Sequence, residues 1–230
     1  MVGRCEINNG CVVVDLDNTL LNVNSLKELT KFLLVKLFKK KSVKDLADIS
    51  KAIVLRKLRV YSHIKMKHII VRKAQNMLSE SDIESFTDLL LTKLNPQVLS
   101  ILNKFQEKNC RILIATAAPD FYLPSFINKL PFGSIDFLAT HYSTNLRDYI
   151  ENRNQKKSEN VKNYLSENNL KCVSVISDHY DDLPLFKSFE KTDNYLISPS
   201  SATLKIIRDN LIDVKIFKLR DNIYEIKKCR

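Results

Sequence analysis

The feature that most constrains the fold is the segment CVVVDLDNTLL at residues 11–21, in which a short apolar run ends in two acidic residues. Residues 12–14 are consecutive valines, a pattern typical of a strand that is buried on both faces. Carboxylates directly after a buried strand are unfavourable unless a cation or a hydrogen-bond donor compensates them. The segment therefore predicts either a polar turn or a phosphate or metal site at Asp15 and Asp17.

Two later apolar runs end in the same way. RILIAT ends at Thr116, and KCVSVISD ends at Asp178. Helical patterns separate the apolar runs, and this alternation predicts an α/β fold with a doubly wound, Rossmann-like parallel sheet. The carboxyl ends of the strands in such a sheet lie at one edge, where ligands bind. We therefore expect Thr116 and Asp178 to lie close to Asp15 and Asp17.

A helical segment interrupts the alternation directly after the first strand. Leucines recur there at helical spacing, and neither Gly nor Pro occurs in residues 22–95. Pro96 fits the first turn of the next helix. The pattern predicts an all-α helical bundle of roughly four helices at residues 22–95, inserted into an α/β core of residues 1–21 and 96–230.

The positive charge of the chain belongs to this insertion. The net charge is +11, and residues 24–75 contain 15 Lys/Arg against 3 Asp/Glu. Three interpretations stay open: a solvated helical face, attraction of an acidic, multiply phosphorylated or lipid-linked substrate, and contact with anionic lipid or nucleic acid. No dedicated nucleic-acid motif occurs. His63 and His68 are expected at the surface of this basic segment.

Composition indicates the class of protein. A chain of 230 residues with 44% hydrophobic and 27% charged residues suits one large globular domain or a core with an insertion. No apolar run reaches the ~18 residues of a membrane span, and the N-terminus lacks an apolar signal core. Five cysteines without CxxC spacing favour free thiols over a disulfide frame or zinc site. We expect a cytoplasmic protein, and nothing in the sequence specifies its oligomeric state.

The residues expected at the sheet edge suit phosphoryl chemistry. Carboxylates can hold Mg²⁺, which prefers oxygen ligands. The Thr116 hydroxyl and the ammonium group of Lys156 or Lys157 can hold phosphoryl oxygens. One carboxylate then remains available as a nucleophile.

With these residues in this order, the chain resembles the haloacid dehalogenase superfamily of aspartate-nucleophile phosphatases. It most resembles the phosphoserine phosphatase-like subclass, which carries a helical cap between its first and second motifs. The four motifs are DLDNT at residues 15–19, Thr116 after ILIA, Lys157, and SDHYDDLP at residues 177–184. Lys157 is preferred to Lys156 because apolar residues follow it at the usual helical offsets.

The resemblance implies a role for each motif residue. Asp15 attacks phosphorus and becomes an aspartyl phosphate, while Asp17 acts as general acid and then as general base. Asp15, the backbone carbonyl of Asp17, and Asp178 bind Mg²⁺. Asp182 supports the metal or its waters, and its spacing from Asp178 favours it over the neighbouring Asp181.

The resemblance also implies that Thr116 and Lys157 hold phosphoryl oxygens. Asn24 stands where phosphoserine phosphatases carry a Glu that meets the substrate amine, which argues against phosphoserine as the substrate. The expected activity is hydrolysis of a small phosphomonoester. The alternatives are a phosphotransferase that uses the same intermediate, and a non-catalytic module whose basic cap binds anionic lipid or nucleic acid.

Overall fold

The fold is built on one twisted sheet. The structure, a computed structural model, describes residues 9–220 and 223–228, with side chains described through residue 217. Within these residues seven strands pair in the order β3-β2-β1-β4-β5-β6-β7, and all pairs are parallel except β6 with β7. The strands are β1 (Gly10–Val14), β2 (Arg111–Pro119), β3 (Ile135–Thr140), β4 (Lys171–Ser177), β5 (Tyr195–Ile197), β6 (Lys215–Arg220) and β7 (Ile223–Lys228).

Helices connect the parallel strands and cover both faces of the sheet. Four of them lie between β1 and β2 before the usual crossover helix α5. The helices are α1 (Ser25–Lys39), α2 (Val43–Lys57), α3 (His63–Met77), α4 (Glu80–Leu91), α5 (Pro96–Gln106), α6 (Leu123–Ile127), α7 (Asn154–Glu167), α8 (Leu183–Ser188) and α9 (Ser201–Asp209). The predicted α/β doubly wound core with an all-α insertion is confirmed.

Strand β1 lies at the centre of the sheet and is buried on both faces, as its valine run predicts. Val12 and Val14 pack into the apolar cluster on the face that continues into the inserted helices. Val13 packs into the opposite cluster, together with Val161 of α7 and Ile207 of α9. Because β1 has neighbours on both edges and both faces, the backbone that follows it is held rigidly at Asp15.

The inserted helices (residues 25–91, the helical insertion) form an amphipathic bundle. Leu26, Leu29, Leu33 and Leu37 follow one another along the buried face of α1. The two chain segments that join the insertion to the core run side by side, since Asn22 N–H donates to Lys93 O at 2.8 Å. The insertion is thus connected to the core at one place, next to the end of β1.

Some sequence expectations need correction or fall outside the described residues. His68, expected at the surface, is buried, and its ring packs on Tyr142 and Tyr149 of the core. The reason is that α3 turns this side towards the core, together with the apolar residues Ile70, Val71 and Ala74. Strand β7 was not predicted. Cys11, Cys110 and Cys172 are free thiols, whereas the remaining two cysteines lie outside the described residues.

Candidate active site

The sheet edge at the ends of β1, β2 and β4 brings the predicted residues together. Lys157, near the start of α7, donates from Nζ to Asp15 Oδ1 at 2.8 Å and to Asp182 Oδ2 at 2.8 Å. Its side chain is only 4% exposed. Lys156 is exposed on the surface of the same helix. Of the two candidate lysines, Lys157 is therefore the one at the site.

A wide turn after β1 presents the two carboxylates of the first motif. Leu20 N–H donates to Asp15 O and Leu21 N–H donates to Leu16 O, so the turn closes with five-residue spacing. Asn18 has a φ of 56°, a left-handed conformation that Asn tolerates better than most residues. The turn therefore places Asp15 and Asp17 on the same side of the sheet edge.

Thr19 links the first motif to the fourth. Its hydroxyl lies 3.3 Å from Asp178 Oδ1 and 3.5 Å from Asp15 Oδ2. Asp178, predicted at the end of β4, is thus next to Asp15 although the two are far apart in sequence. Thr19 belongs to the first sequence motif, but the sequence analysis predicted no function for its side chain.

Asp17 is held by the N-terminus of α1. Its Oδ1 accepts from the Ser25 backbone N–H at 2.8 Å, and its Oδ2 accepts from Asn24 Nδ2 at 2.9 Å. The buried Tyr122 hydroxyl fixes Ser25 by donating to its Oγ at 2.7 Å. Burial raises the pKa of Asp17, and the hydrogen bonds from Ser25 act in the opposite direction.

The remaining carboxylates of the site repel one another electrostatically. Burial raises the pKa of Asp15; the Lys157 ammonium lowers it, while Asp182 and Asp178 raise it further. Burial likewise raises the pKa of Asp178 to about 6. Burial disfavours the charged form of Lys157, but Asp15 and Asp182 outweigh this effect and raise its pKa. One buried ammonium thus offsets part of the negative charge of three carboxylates.

The fourth motif separates its two neighbouring aspartates. Asp182 is buried and accepts from the Ser177 hydroxyl at 2.6 Å as well as from Lys157. Asp181 instead pairs with Arg153, whose Nη2 lies 2.6 Å from Asp181 Oδ2. The structure therefore directs Asp182, not Asp181, towards the nucleophile candidate.

Thr116 lies on β2 beside these groups. It is 1% exposed, and its Oγ1 accepts from the Ala118 backbone N–H at 3.0 Å. Within the described residues no acceptor is bonded to its own hydroxyl hydrogen. Asn152 fixes the surrounding backbone by donating to Thr116 O at 3.2 Å and to Leu138 O at 2.8 Å. Thr116 is therefore a pre-positioned hydrogen-bond donor.

A pocket of about 870 Å³ opens over this site between the core and the helical insertion. All the predicted site residues line it: Asp15, Asp17, Thr116, Lys157, Asp178 and Asp182. Helices α1, α2 and α3 form the opposite wall. The volume is within the range of small-molecule sites, so the pocket is large enough for a phosphoryl group and a sizeable leaving group.

Comparison with known families decides the classification. The sequence model of the haloacid dehalogenase-like hydrolases matches residues 12–187, which is most of the chain. The chain belongs to this family. The predictions of a haloacid dehalogenase-like protein and of an enzyme are confirmed. A search of curated protein sequences found no match.

Several solved structures share the fold of this haloacid dehalogenase-like hydrolase. A Bordetella pertussis Tohama I protein of unknown function is 16% identical, with a TM-score of 0.67 over 90% of this chain and 97% of that one. A probable phosphoserine phosphatase from Vibrio cholerae is 11% identical, with a TM-score of 0.59 over 89% and 61%. A phospho-aspartyl intermediate analogue of phosphoserine phosphatase is also 11% identical, with a TM-score of 0.56 over 92% and 94%. At these identities the likeness concerns the fold.

The donor set of this hydrolase fits a hard divalent cation. Among residues 9–220 and 223–228, no group of three or more His, Cys, Asp or Glu side chains is arranged to hold a metal ion. The ligand set implied by the family needs only two such side chains, Asp15 and Asp178, and the Asp17 backbone carbonyl. Mg²⁺ retains several waters and needs few protein ligands. A cation bound there would offset the excess of buried negative charge around Asp15.

Some residues of the site were missed by sequence reasoning. Lys67 of α3 is 5% exposed on its side chain, and Nζ lies 2.6 Å from Glu151 Oε1 of the core. It also donates to Ala117 O, next to Thr116. The available signal was helical spacing, because Ile70, Val71 and Ala74 share the buried face of α3 with Lys67.

None of the helices within residues 9–220 and 223–228 combines the length and the apolar composition that a bilayer span requires.

Proposed function

We propose that this hydrolase is a Mg²⁺-dependent phosphatase that hydrolyses a small phosphomonoester through an aspartyl-phosphate intermediate. The observation that carries the proposal is the position of Lys157, which bonds both Asp15 and Asp182 at the bottom of the pocket. A buried ammonium beside a buried carboxylate can bind a phosphoryl oxygen while leaving that carboxylate aimed at phosphorus.

In the first step a carboxylate oxygen of Asp15 attacks phosphorus, and the ester P–O bond to the leaving group breaks. Asp17 donates its proton to the departing oxygen, so the products are an alcohol and the aspartyl phosphate. In the second step Asp17 takes a proton from water, the water oxygen attacks phosphorus, and the bond to Asp15 breaks. Inorganic phosphate leaves, and both aspartates return to their starting forms.

The surroundings of Asp17 suit this dual role. Burial raises its pKa, which favours the protonated form that the first step requires. Its two oxygens are fixed by Ser25 and Asn24, so the carboxyl group cannot turn away from the pocket. Fixed orientation favours proton transfer because little reorganisation is needed during the reaction.

Thr116 and Lys157 are the proposed phosphoryl clamp. The Thr116 hydroxyl has its acceptor side occupied by Ala118, so its hydrogen remains to be donated to a phosphoryl oxygen. Lys157 has three donor hydrogens, and its two carboxylate partners use two of them. The third is available for the substrate.

Asp15, the Asp17 backbone carbonyl and Asp178 would hold Mg²⁺, with Asp182 in support. When bound, the cation would reduce the repulsion between the Asp15 carboxylate and the phosphate dianion. We treat residues 22–95 as a cap that closes over the core and limits the access of water. The interpretation as a non-catalytic binding module gains no specific support from the arrangement of these groups.

Hydrolysis of p-nitrophenyl phosphate tests the proposal. The purified chain should release phosphate with added Mg²⁺, and a chelator should abolish the activity. Asp15→Asn should remove activity while leaving the circular dichroism spectrum unchanged. Asp213→Asn, which removes an exposed carboxylate far from the pocket, is the matched control and should stay active. Activity that persists in Asp15→Asn would refute the proposed mechanism.

A further inference from the structure

The wall of the pocket that faces the catalytic residues has a distinct composition. The helical insertion contributes no Asp or Glu to the pocket lining. Its contribution consists of an apolar group and a basic group, with Asn24 and Thr30 as the neutral polar residues. The apolar group is Leu26, Ile53, Met66 and Ile70, and the basic group is Lys27, Lys31, Lys57, His63 and Lys67.

The basic residues differ in whether their charge is already paired with a carboxylate. Lys67 is paired with Glu151, and Lys31 is paired with Glu28 at 2.7 Å. Within the described part of the chain, no carboxylate lies within salt-bridge distance of Lys27 or Lys57. Both of these side chains are exposed at the pocket opening. They are the cations that remain to meet a ligand.

His63 also lines the pocket, but its side chain adds no permanent charge. Partial burial lowers the pKa of this largely exposed histidine, which favours the neutral ring. It can exchange hydrogen bonds with a ligand but does not compete with the lysines for an anion. The permanent charge at the opening therefore comes from lysine.

Helix α1 gives the distance between Lys27 and the reacting centre. Its N-cap, Asn24, donates directly to Asp17, and Lys27 N–H donates to Asn24 Oδ1 at 3.0 Å. With a rise of about 1.5 Å per residue, Lys27 lies about 5 Å from Asn24 along the helix axis. The pocket wall near the catalytic groups thus combines apolar side chains with the unpaired charges of Lys27 and Lys57.

We propose that the substrate is a phosphomonoester whose leaving group has an apolar body and ends in a second anionic group that Lys27 and Lys57 bind. The proposal rests on the phosphatase function proposed above and specifies its substrate class. A polyol leaving group would leave the apolar wall without partners. A leaving group with an ammonium group would be repelled by both lysines, because like charges disfavour one another at short range.

Three probes of equal length test this: 6-phosphonooxyhexanoate, hexyl phosphate and 6-aminohexyl phosphate, which end in a negative, a neutral and a positive group. We expect kcat/KM to fall in that order. Exposed ion pairs contribute up to about 1 kcal/mol each, so the anionic probe should exceed the neutral one by roughly fivefold for each lysine engaged. The preference should shrink at high salt, which screens exposed charges.

Matched variants separate local binding from general attraction by a basic surface. Lys57→Met and Lys51→Met remove the same charge from the same helix, but only Lys57 lines the pocket. The ratio of kcat/KM for the anionic and neutral probes should fall several-fold in Lys57→Met and in Lys27→Met. It should be unchanged in Lys51→Met. An equal fall in Lys57→Met and Lys51→Met would overturn the proposed site.

The outcome distinguishes this proposal from the proposed function. If all three probes are hydrolysed at equal rates, the phosphatase function stands and the second anionic site is refuted. If none is hydrolysed and p-nitrophenyl phosphate is not hydrolysed either, the phosphatase function fails. Binding of the probes to the Asp15→Asn protein, measured by calorimetry, then still reports the charge preference. Equal affinities for the three probes in that measurement would refute the anionic site by itself.

Discussion

At the scale of single residues, the environment of Asp17 is the most specific feature of the site. Asp17 lies two residues after the proposed nucleophile, but its contacts come from the first turn of α1. The helix N-terminus supplies backbone N–H groups and a favourable electrostatic field for a carboxylate. Burial raises the pKa of Asp17 against this effect. The balance between the two suits a group that must both give and accept a proton.

Asp17→Asn should separate the two steps of the reaction. With p-nitrophenyl phosphate the leaving group needs no protonation, so Asp15 can still be phosphorylated, but water attack lacks its base. We expect a burst of about one nitrophenolate per active site, followed by steady turnover that is roughly 100- to 10,000-fold slower than in the wild type. Stopped-flow absorbance measures both phases. Steady turnover at the wild-type rate would contradict the role of Asp17.

Asn24 performs two tasks that two substitutions can separate. Its Oδ1 caps α1 by accepting from Lys27 N–H, and its Nδ2 donates to Asp17. Asn24→Ala removes both contacts, and we expect a loss of about 1 kcal/mol in the free energy of unfolding together with a lower kcat. Asn24→Ser retains a helix-capping hydroxyl and should lower kcat without that loss. Urea unfolding and steady-state kinetics measure the two effects, and wild-type kcat in both variants would disprove the Asp17 contact.

At the scale of elements, α3 is anchored to the core by polar contacts of two buried side chains, Lys67 and His68. Lys67 reaches Glu151 and Ala117 O, and His68 donates from Nε2 to Ser143 O at 2.7 Å. These contacts hold the insertion over the end of β2 and the segment that follows β3. They also keep the pocket wall in place.

Lys67→Met should destabilise the protein strongly, because it leaves Glu151 buried without its cation. Removing one partner of a buried ion pair costs about 3 kcal/mol or more. The double variant Lys67→Met/Glu151→Gln removes both charges and should regain much of the lost stability. Chemical unfolding of the two variants measures the difference. Equal stability of the single variant and the wild type would show that the pair contributes nothing to holding α3.

The sequence was sufficient for the parts of the site that follow from sheet topology. Thr116 and Asp178 could be placed beside Asp15 because the carboxyl ends of parallel strands meet at one edge. Lys67 and the burial of His68 were not predicted. The buried face of their helix is marked in the sequence by Ile70, Val71 and Ala74 at helical spacing. The partners of the two side chains lie far apart in sequence and are set by packing. The roles of the predicted site residues stay predictions.

At the scale of the whole molecule, negative charge collects at one point of a basic protein. The chain carries a net charge of +11, yet the end of β1 is surrounded by Asp15, Asp178 and Asp182 with Lys157 as their buried cation. Uncompensated buried charge of this kind is unfavourable for the stability of the fold. The proposed metal site therefore predicts that stability and metal binding are coupled.

Mg²⁺ should raise the midpoint of thermal unfolding, because a ligand that binds only the folded state stabilises it by about 2.7 kcal/mol at a concentration 100 times its dissociation constant. Asp178→Asn should lose most of this shift, and the control Asp213→Asn should keep it. Differential scanning fluorimetry with and without Mg²⁺ provides the readout without any substrate. A wild-type midpoint that does not respond to Mg²⁺ would contradict the proposed metal site.

The proposed mechanism depends on phosphorylation of Asp15, and chemical trapping tests this step most directly. The Asp17→Asn protein is mixed with substrate, quenched in acid during the burst and reduced with borohydride, which converts an acyl phosphate of aspartate into homoserine. Peptide mass spectrometry then locates the change. The proposed mechanism predicts homoserine at position 15 and at no other aspartate position. Substrate turnover with an unmodified Asp15, or with the modification at Asp178 or Asp182, would contradict it.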